Sequence, residues 1–499
     1  MQAAVEEKSV ICASCDIACM VVARVKDGRV SRVRAVRKPG QSKNICVKGI
    51  YAPKSFNHAE RVLFPLKRVG ERGSGKWERV SWDEAMNDIG HRLSKIVDQY
   101  GPEALVVSTS AWNTSVDNGS GRRFMNLLGA PNWISGVAVC AGNTAAINRM
   151  VYGWLPQPDY SATKCIVLFG HNPKRHSWTP VYNKIRSAQA RGAKLIVLDP
   201  RRSENAELAD LWLPLRAGTD AAMMLGWLHV IINEHLYDAE FVEKWTVGFE
   251  ELRKRVDEYP VERVAEITGV SAELIRQAAR MYATTKPAII PWTPITDQQI
   301  SSTSAIRLQC TLRALTGNVD VKGGETLQGL NPFVIPETEL ELHEILPESQ
   351  KAKQLGSDKH PAFTYRGMAP LKDATERVWG RPYMNQLTGC YMANPATTFR
   401  AMANGDPYPV KAFISLGNNT LLGYSNMRLI YQAIMNQDLV VVHEHMKTPT
   451  AQLADYILPG DSWLERPVLF DAFGWSSVIA ASEKASEPPG ECRSVYDFW

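Results

Sequence analysis

"CIVLFGHNPKRHSWTPVYNKIRSAQARGAKLIVLDP", residues Cys165–Pro200, reads as strand, helix, strand. "CIVLFG" and "KLIVLDP" are unbroken apolar runs, the pattern of strands buried on both faces. "TPVYNKIRSAQARG" between them reads as a helix, and another opens at "GTDAAMM" (Gly218–Met224). This alternation predicts parallel βαβ units and an α/β fold. Upstream, "ALVVSTS" (from Ala104) reads as a further buried strand. "SWDEAMNDIGHRLSKIVDQYG" reads as a helix: Ser81 and Glu84 have capping-box spacing, Met86, Ile89, Leu93, Ile96 and Val97 form a stripe, and Gly101 ends it. The first ~60 residues read as short strands and turns, with Asp27-Gly28 as a hairpin signal. From about Glu325 to Arg400 the pattern fades into Pro, Gly, Met and mixed charge, which suggests long loops.

A faint repeat links two parts of the chain. "VLFGHNP" (Val167–Pro173) leads to "AELADLWLP" (Ala206–Pro214), and "FISLGNN" (Phe413–Asn419) leads to "AQLADYILP" (Ala451–Pro459). In each half an apolar strand ends in a Gly/Asn turn whose backbone N–H groups are free to meet a phosphate. The later Ala-Asp-x-x-Leu-Pro reads as a second loop on the same edge. Two such halves predict two similar nucleotide sites facing a common crevice.

With 499 residues, 45% hydrophobic and 22% charged, the chain can hold about three globular domains. The net charge of +5 is small for this length and no long Lys/Arg run appears, which argues against a nucleic-acid partner. "MQAAVEEKSV" lacks a charged region followed by an apolar stretch, and lacks a twin arginine. "AAMMLGWLHVII" is shorter than the ~20 residues that span a bilayer. The expectation is a cytoplasmic protein without a membrane segment.

Four of the nine cysteines crowd the start: Cys12, Cys15 and Cys19 in "ICASCDIAC", then Cys46 in "ICVKG". Soft thiolates at this spacing favour an iron–sulfur cluster or zinc. Three crowded cysteines plus one remote fit a cubane cluster better than the paired knuckles of a zinc ribbon. Ligand use of these thiols fits a reducing compartment.

The cysteine motif, "VCAGN" around Cys140, "GHNP", "VLDPRR", "LPLRAGTDAA" and "TPTAQLADYILPGDSWLERP" together resemble the molybdenum/tungsten enzymes that carry two pterin guanine dinucleotides. The resemblance covers nearly the whole chain. "RRFMNLLGAPNW" and "CAGNTA" bring it nearest the tungsten branch that hydrates acetylene. It implies a [4Fe-4S] domain over 1–62, a first dinucleotide-binding α/β domain over 136–324, and a second, discontinuous one over 63–135 with 325–499. Family members continue past the position of Trp499 with a domain closing over both dinucleotides, so that cap domain is expected to be absent here.

The same resemblance implies roles for single residues. Cys140 is the candidate ligand of tungsten or molybdenum; a buried structural cysteine is the alternative. Lys48 would lie between cluster and nearer pterin as a buried ammonium. Asp16, beside Cys15, would be a carboxylic acid whose pKa is raised by like charge and desolvation, able to protonate a carbon. An Asx turn is its alternative reading. Gly170, Asn172, Asp199, Gly218, Thr219 and Asp220 would contact one dinucleotide, and Gly417, Asn418, His443, Thr448, Thr450 and Asp455 the other.

Ile17, Trp178 and Trp292 match three members of the apolar ring over the metal in that branch. Ala141 and Trp112 replace two of its isoleucines, which implies a reshaped pocket. The expected activity is hydration of acetylene to acetaldehyde without net redox change. A redox enzyme passing electrons through the cluster is the first alternative, and a cluster-bearing non-catalytic subunit the second. Tungsten and molybdenum are not distinguished by the sequence, and neither is the oligomeric state.

Overall fold

In a computed structural model the described residues are 5–15, 17–36, 45–110, 115–175, 179–327, 337–380, 391–470 and 479–499. They form two compact units, Met1–Val139 with Leu330–Trp499, and Cys140–Gly329.

The discontinuous unit opens with an antiparallel sheet of Val5–Cys12, Cys19–Lys26 and Arg29–Ala35. Asp27 and Gly28 take φ of 51° and 75°, the left-handed pair that a two-residue hairpin turn needs. The helix Trp82–Tyr100 begins where the Ser81 hydroxyl accepts the Glu84 N–H at 3.1 Å, and it ends at Gly101. Its Ile89, Leu93 and Ile96 are buried, as the stripe predicts.

A seven-stranded sheet forms the body of this unit. Five of its strands are parallel and lie in the order Tyr456–Pro459, Leu439–Glu444, Ala412–Leu416, Leu105–Thr109, Asn132–Ser135. The antiparallel pair Leu66–Arg68 and Trp77–Arg79 extends it beside Tyr456–Pro459. Leu105 and Val107 pack into one core and Val106 into another, because successive side chains leave a strand on opposite faces. Both faces are covered, so the strands read as continuous apolar runs.

The unit Cys140–Gly329 repeats this plan with Leu211–Leu213, Lys194–Leu198, Cys165–Phe169 and Ala288–Ile289, all parallel and in that spatial order. Val167 and Phe169 enter one core, Ile166 and Leu168 the other. Each sheet has a topological switch point, where successive connections leave in opposite directions. One lies between Ala412–Leu416 and Leu105–Thr109, the other between Cys165–Phe169 and Ala288–Ile289.

The stretch read as long loops contains helices. Tyr365–Trp379 is capped by the Thr364 hydroxyl on the Gly367 N–H at 3.3 Å, and Pro395–Asn404 by the Asn394 carboxamide on the Thr397 N–H at 3.0 Å. Pro370 sits inside the first of these helices and interrupts the pattern that would have announced it. No helix among the described residues is long and apolar enough to cross a membrane.

Candidate cofactor and active site

Open parallel sheets bind ligands beyond the carboxyl ends of their strands, at the switch point. Gly170 (φ 56°) follows Cys165–Phe169 and donates its N–H to the Leu198 carbonyl at 2.7 Å. Gly417 (φ 55°) follows Ala412–Leu416 and donates to the His443 carbonyl at 2.9 Å. A Cβ on Gly170 would stand 2.9 Å from Ile295 Cγ2, so space and backbone both require glycine. Asn172 is buried, with Nδ2 donating to Glu204 Oε2 at 2.8 Å and Oδ1 accepting from Asn205 at 3.0 Å. Asn418 spans its switch point, donating from Nδ2 to Ser108 Oγ at 2.9 Å and to the Thr109 carbonyl at 3.2 Å.

The remaining edge residues are held by similar local bonds. Asp199 follows Lys194–Leu198 and accepts the Arg201 N–H at 2.8 Å. Gly218 (φ 82°) would have open space around a Cβ, and the helix Asp220–Asn233 starts two residues later. Thr219 Oγ1 donates to the Arg216 carbonyl at 2.6 Å. Burial pushes the Asp220 carboxyl above its ordinary range. Thr448 Oγ1 accepts from the Ala451 N–H at 3.3 Å, and Thr450 Oγ1 donates to Asn419 Oδ1 at 2.8 Å. His443 is buried, with Nε2 3.0 Å from the Arg493 carbonyl.

Two further residues bear on whether a polar ligand fits these edges. Thr109 Oγ1 and Thr293 Oγ1 are buried close to the two switch points, and neither has a hydrogen-bond partner among the described residues. A buried hydroxyl without a partner is costly, and a bound polar group would satisfy each. The donor chemistry therefore fits a nucleotide-bearing cofactor. Sequence patterns did not single out either threonine.

Asp455 does not belong to this edge. Its Oδ2 accepts the Val440 N–H at 2.8 Å, near the amino end of Leu439–Glu444, and its two oxygens pair with Arg68, Arg72 and Arg92. Its counterpart Asp210 does the same for the Leu195 N–H at 2.9 Å. The Ala-Asp of the repeat is thus a brace at the opposite edge from Gly170 and Gly417, where each carboxylate satisfies the start of a neighbouring strand.

Cys140 is half-buried and Ala141 is the N-cap of the helix Gly142–Tyr152. Four residues past Cys140, the Thr144 N–H and hydroxyl donate to Asp297 at 2.8 and 2.7 Å. Trp292, just beyond Ala288–Ile289, donates its indole N–H to the same carboxylate at 3.0 Å. Burial raises the Asp297 carboxyl to about 6, against the opposing hydrogen bonds. A buried Arg313–Glu325 pair grips the strand end before Trp292: the Ile290 N–H donates to Glu325 at 2.7 Å and its carbonyl accepts from Arg313 at 2.7 Å. Nothing in the local sequence around Thr144 marks Asp297 or this pair, because their partners are remote in the chain.

The N-terminal cysteines gather at one end of the first sheet. Cys12 and Cys19 face each other in register across Val5–Cys12 and Cys19–Lys26, and Cys15 lies in the turn between. Cys46 is the N-cap of the helix Val47–Phe56. The next turn of that helix lies against Cys12, since a Cβ on Gly49 would be 3.5 Å from Cys12 Sγ. Burial raises the Cys12 thiol, Ser14 hydrogen bonds oppose this, and the Cys46 and Lys48 side chains act on it with opposite sign. A helix N-terminus and an ammonium beside thiolates favour negative charge. Among the described residues no group of three His, Cys, Asp or Glu is arranged to hold a metal ion. The donor set suits a thiolate-bound metal in chemistry and order, with the sulfurs not closed on one point.

Lys48 is exposed rather than buried. Ile17 is half-buried in the turn after Cys15, and Ala141 is buried. Asp16, Trp112 and Trp178 lie outside the described residues. The remaining described cysteines, Cys165, Cys310 and Cys492, are free and buried.

Residues 61–499 match the molybdopterin oxidoreductase family model. Acetylene hydratase of Syntrophotalea acetylenica is 48% identical over 497 residues, covering 99% of this chain and 68% of that protein. Formate dehydrogenase H of Escherichia coli is 32% identical over 479 residues, covering 93% of this chain and 63% of that protein. The solved structure of acetylene hydratase from Pelobacter acetylenicus superposes with a TM-score of 0.93 at 48% identity, over 98% of this chain and 68% of that one. The chain thus spans about two thirds of the length of these relatives. Its strand order, glycine turns and sequence together make it a homologue of acetylene hydratase and a member of the molybdopterin oxidoreductase family.

Proposed function

We propose that this chain is an acetylene hydratase: it adds water across acetylene to give acetaldehyde, with no electron entering or leaving. The observation that carries the reading is its likeness to acetylene hydratase, 48% identical and with a TM-score of 0.93 over 98% of the chain. Family membership implies a molybdopterin carrying molybdenum or tungsten. We infer two pterin guanine dinucleotides with tungsten the preferred metal, and a [4Fe-4S] cluster. We further assign the cluster domain to 1–62 and the dinucleotide domains to 136–324 and to 63–135 with 325–499. A reducing, cytoplasmic location is part of the same proposal, in keeping with the unbridged thiols of Cys165, Cys310 and Cys492.

The metal centre supplies Lewis acidity to a small unsaturated substrate. The chain's own groups do the rest. Cys140 holds the metal, and Cys12, Cys15, Cys19 and Cys46 hold the cluster. Gly170, Asn172, Asp199, Gly218, Thr219 and Asp220 hold one dinucleotide; Gly417, Asn418, His443, Thr448 and Thr450 hold the other. Lys48 offsets negative charge near the cluster. Ile17, Trp112, Ala141, Trp178 and Trp292 are the residues assigned to the substrate pocket, which excludes bulk water and selects a small apolar molecule. Asp16 carries the proton to carbon as a neutral acid.

Asp16→Ala tests this assignment: turnover should vanish while the cluster absorption spectrum stays intact, and retained turnover would remove Asp16 from the mechanism. Formate dehydrogenase H among the relatives supports a second reading, a redox enzyme using the cluster as an electron path. Reduction of a viologen dye by formate, with no acetaldehyde from acetylene, would favour that reading.

A further inference from the structure

The helix Gly142–Tyr152 begins immediately after Cys140 and Ala141. Its N-cap, Ala141, offers no side-chain acceptor, although the first N–H groups of a helix need partners. The missing cap comes from Asp297, 153 residues downstream of Thr144. Asp297 Oδ1 accepts the Thr144 N–H at 2.8 Å, and Oδ2 accepts both the Thr144 hydroxyl at 2.7 Å and the Trp292 indole N–H at 3.0 Å. Asn143 adds a tether by donating from Nδ2 to Ser302 Oγ. Trp292 is itself fixed from behind, because Glu325 and Arg313 hold the peptide of Ile290 on both sides.

We propose that Asp297 is a positioning residue that locks the Cys140-bearing helix start and the Trp292 indole to one carboxylate, and thereby sets the pocket wall at the metal. The inference rests on reading Cys140 as the metal ligand and Trp292 as a pocket residue. Asp297 acts through Thr144 and Trp292 and has no contact with substrate in this scheme. A carboxylate has lone pairs for all three donors. A carboxamide of the same shape keeps one acceptor oxygen and turns the other position into a donor, which would face donor groups. Substrate positioning is sensitive to such shifts, and a misplacement of about 1 Å costs on the order of 100-fold in rate.

The test is Asp297→Asn in the full chain loaded with metal and pterin, with Thr144→Val as a milder companion. Asp297→Asn is expected to keep its metal content and to fold with a lowered melting midpoint, because a buried donor then faces donor groups. It should shift the electron paramagnetic resonance spectrum of the bound metal and lower kcat on acetylene about 10- to 100-fold at little-changed KM. Thr144→Val removes only the hydroxyl donor and should give a smaller shift of the same kind. A wild-type spectrum in fully loaded Asp297→Asn would overturn the proposal. So would loss of metal in step with loss of fold, if the loaded fraction keeps the wild-type spectrum. The spectrum does not depend on which reaction is catalysed. Absence of acetaldehyde from the loaded wild type would therefore fail the hydratase reading, while the spectral comparison still decides the role of Asp297.

Discussion

Replacing His443 by Gln should flatten the pH dependence of stability. His443 is 3% exposed, and its Nε2 lies 3.0 Å from the Arg493 carbonyl, so the neutral ring with the proton on Nε2 donates there. Burial first, then the neighbouring His445, hold its pKa down to about 4. In the unfolded chain the imidazole returns to about 6.5. At pH 7.5 both states are neutral and the residue contributes nothing to the pH dependence. As pH falls below 6.5 the unfolded chain takes up a proton that the folded chain refuses until about pH 4, so stability present at neutral pH is lost. At about 1.4 kcal/mol per pKa unit, the loss is about 2 kcal/mol at pH 5, about 3 kcal/mol at pH 4, and levels off at about 3.4 kcal/mol well below the folded pKa. Glutamine keeps an N–H for the Arg493 carbonyl and never titrates. Asp297, raised to about 6, and Asp461, raised to about 7, change stability with the opposite sign in overlapping windows, but they are common to both proteins and cancel in the difference. Urea unfolding of wild type and His443→Gln at pH 7.5 and pH 5.0, in samples matched for metal and pterin, reads that difference directly. A wild-type loss about 2 kcal/mol larger than the variant's is expected. Equal losses in the two proteins would refute a buried, neutral His443.

Three other substitutions probe separate parts of the account. Glu465 and Arg61 form a buried pair with both oxygens bonded at 2.7 Å, so Glu465→Gln should cost about 3–5 kcal/mol in urea unfolding, and a loss under about 1 kcal/mol would contradict it. Asp455→Asn should lower stability by about 1–3 kcal/mol while pterin content stays at the wild-type level, because the carboxylate braces a strand start; lost pterin without lost stability would return it to the cofactor edge. Cys46→Ser should lower iron per chain well below the wild-type value, and a full complement of iron would remove Cys46 from the ligand set.

The parallel strands were legible in the sequence because a strand buried on both faces is apolar at every position, as in Cys165–Phe169. Asp27-Gly28 and Ser81 were legible because turn and cap chemistry is local. The helix Tyr365–Trp379 was not, since Pro370 and mixed polarity blur its period. In the repeat, the shared Ala-Asp recurs as the sequence predicts, but it sits at the opposite edge from the glycine turns. Sequence spacing does not say that a carboxylate folds back to the amino end of the neighbouring strand, as Asp210 and Asp455 do. Asp297 was invisible for a related reason. Its meaning comes from Thr144, a partner 153 residues away, and no local pattern encodes that pairing. The glycine turns at Gly170 and Gly417 fall between these cases: the residue type announced a turn, while the left-handed φ and the contact with Ile295 explain why glycine is required at Gly170.

Hydration involves no net electron transfer, so product must form with no acceptor present. Acetylene is supplied to the strictly reduced chain with no dye or other electron acceptor, and acetaldehyde is counted against tungsten, molybdenum and pterin in the same sample. Hydration predicts many acetaldehyde molecules per metal atom. A fully metallated, pterin-loaded sample that yields none would contradict it.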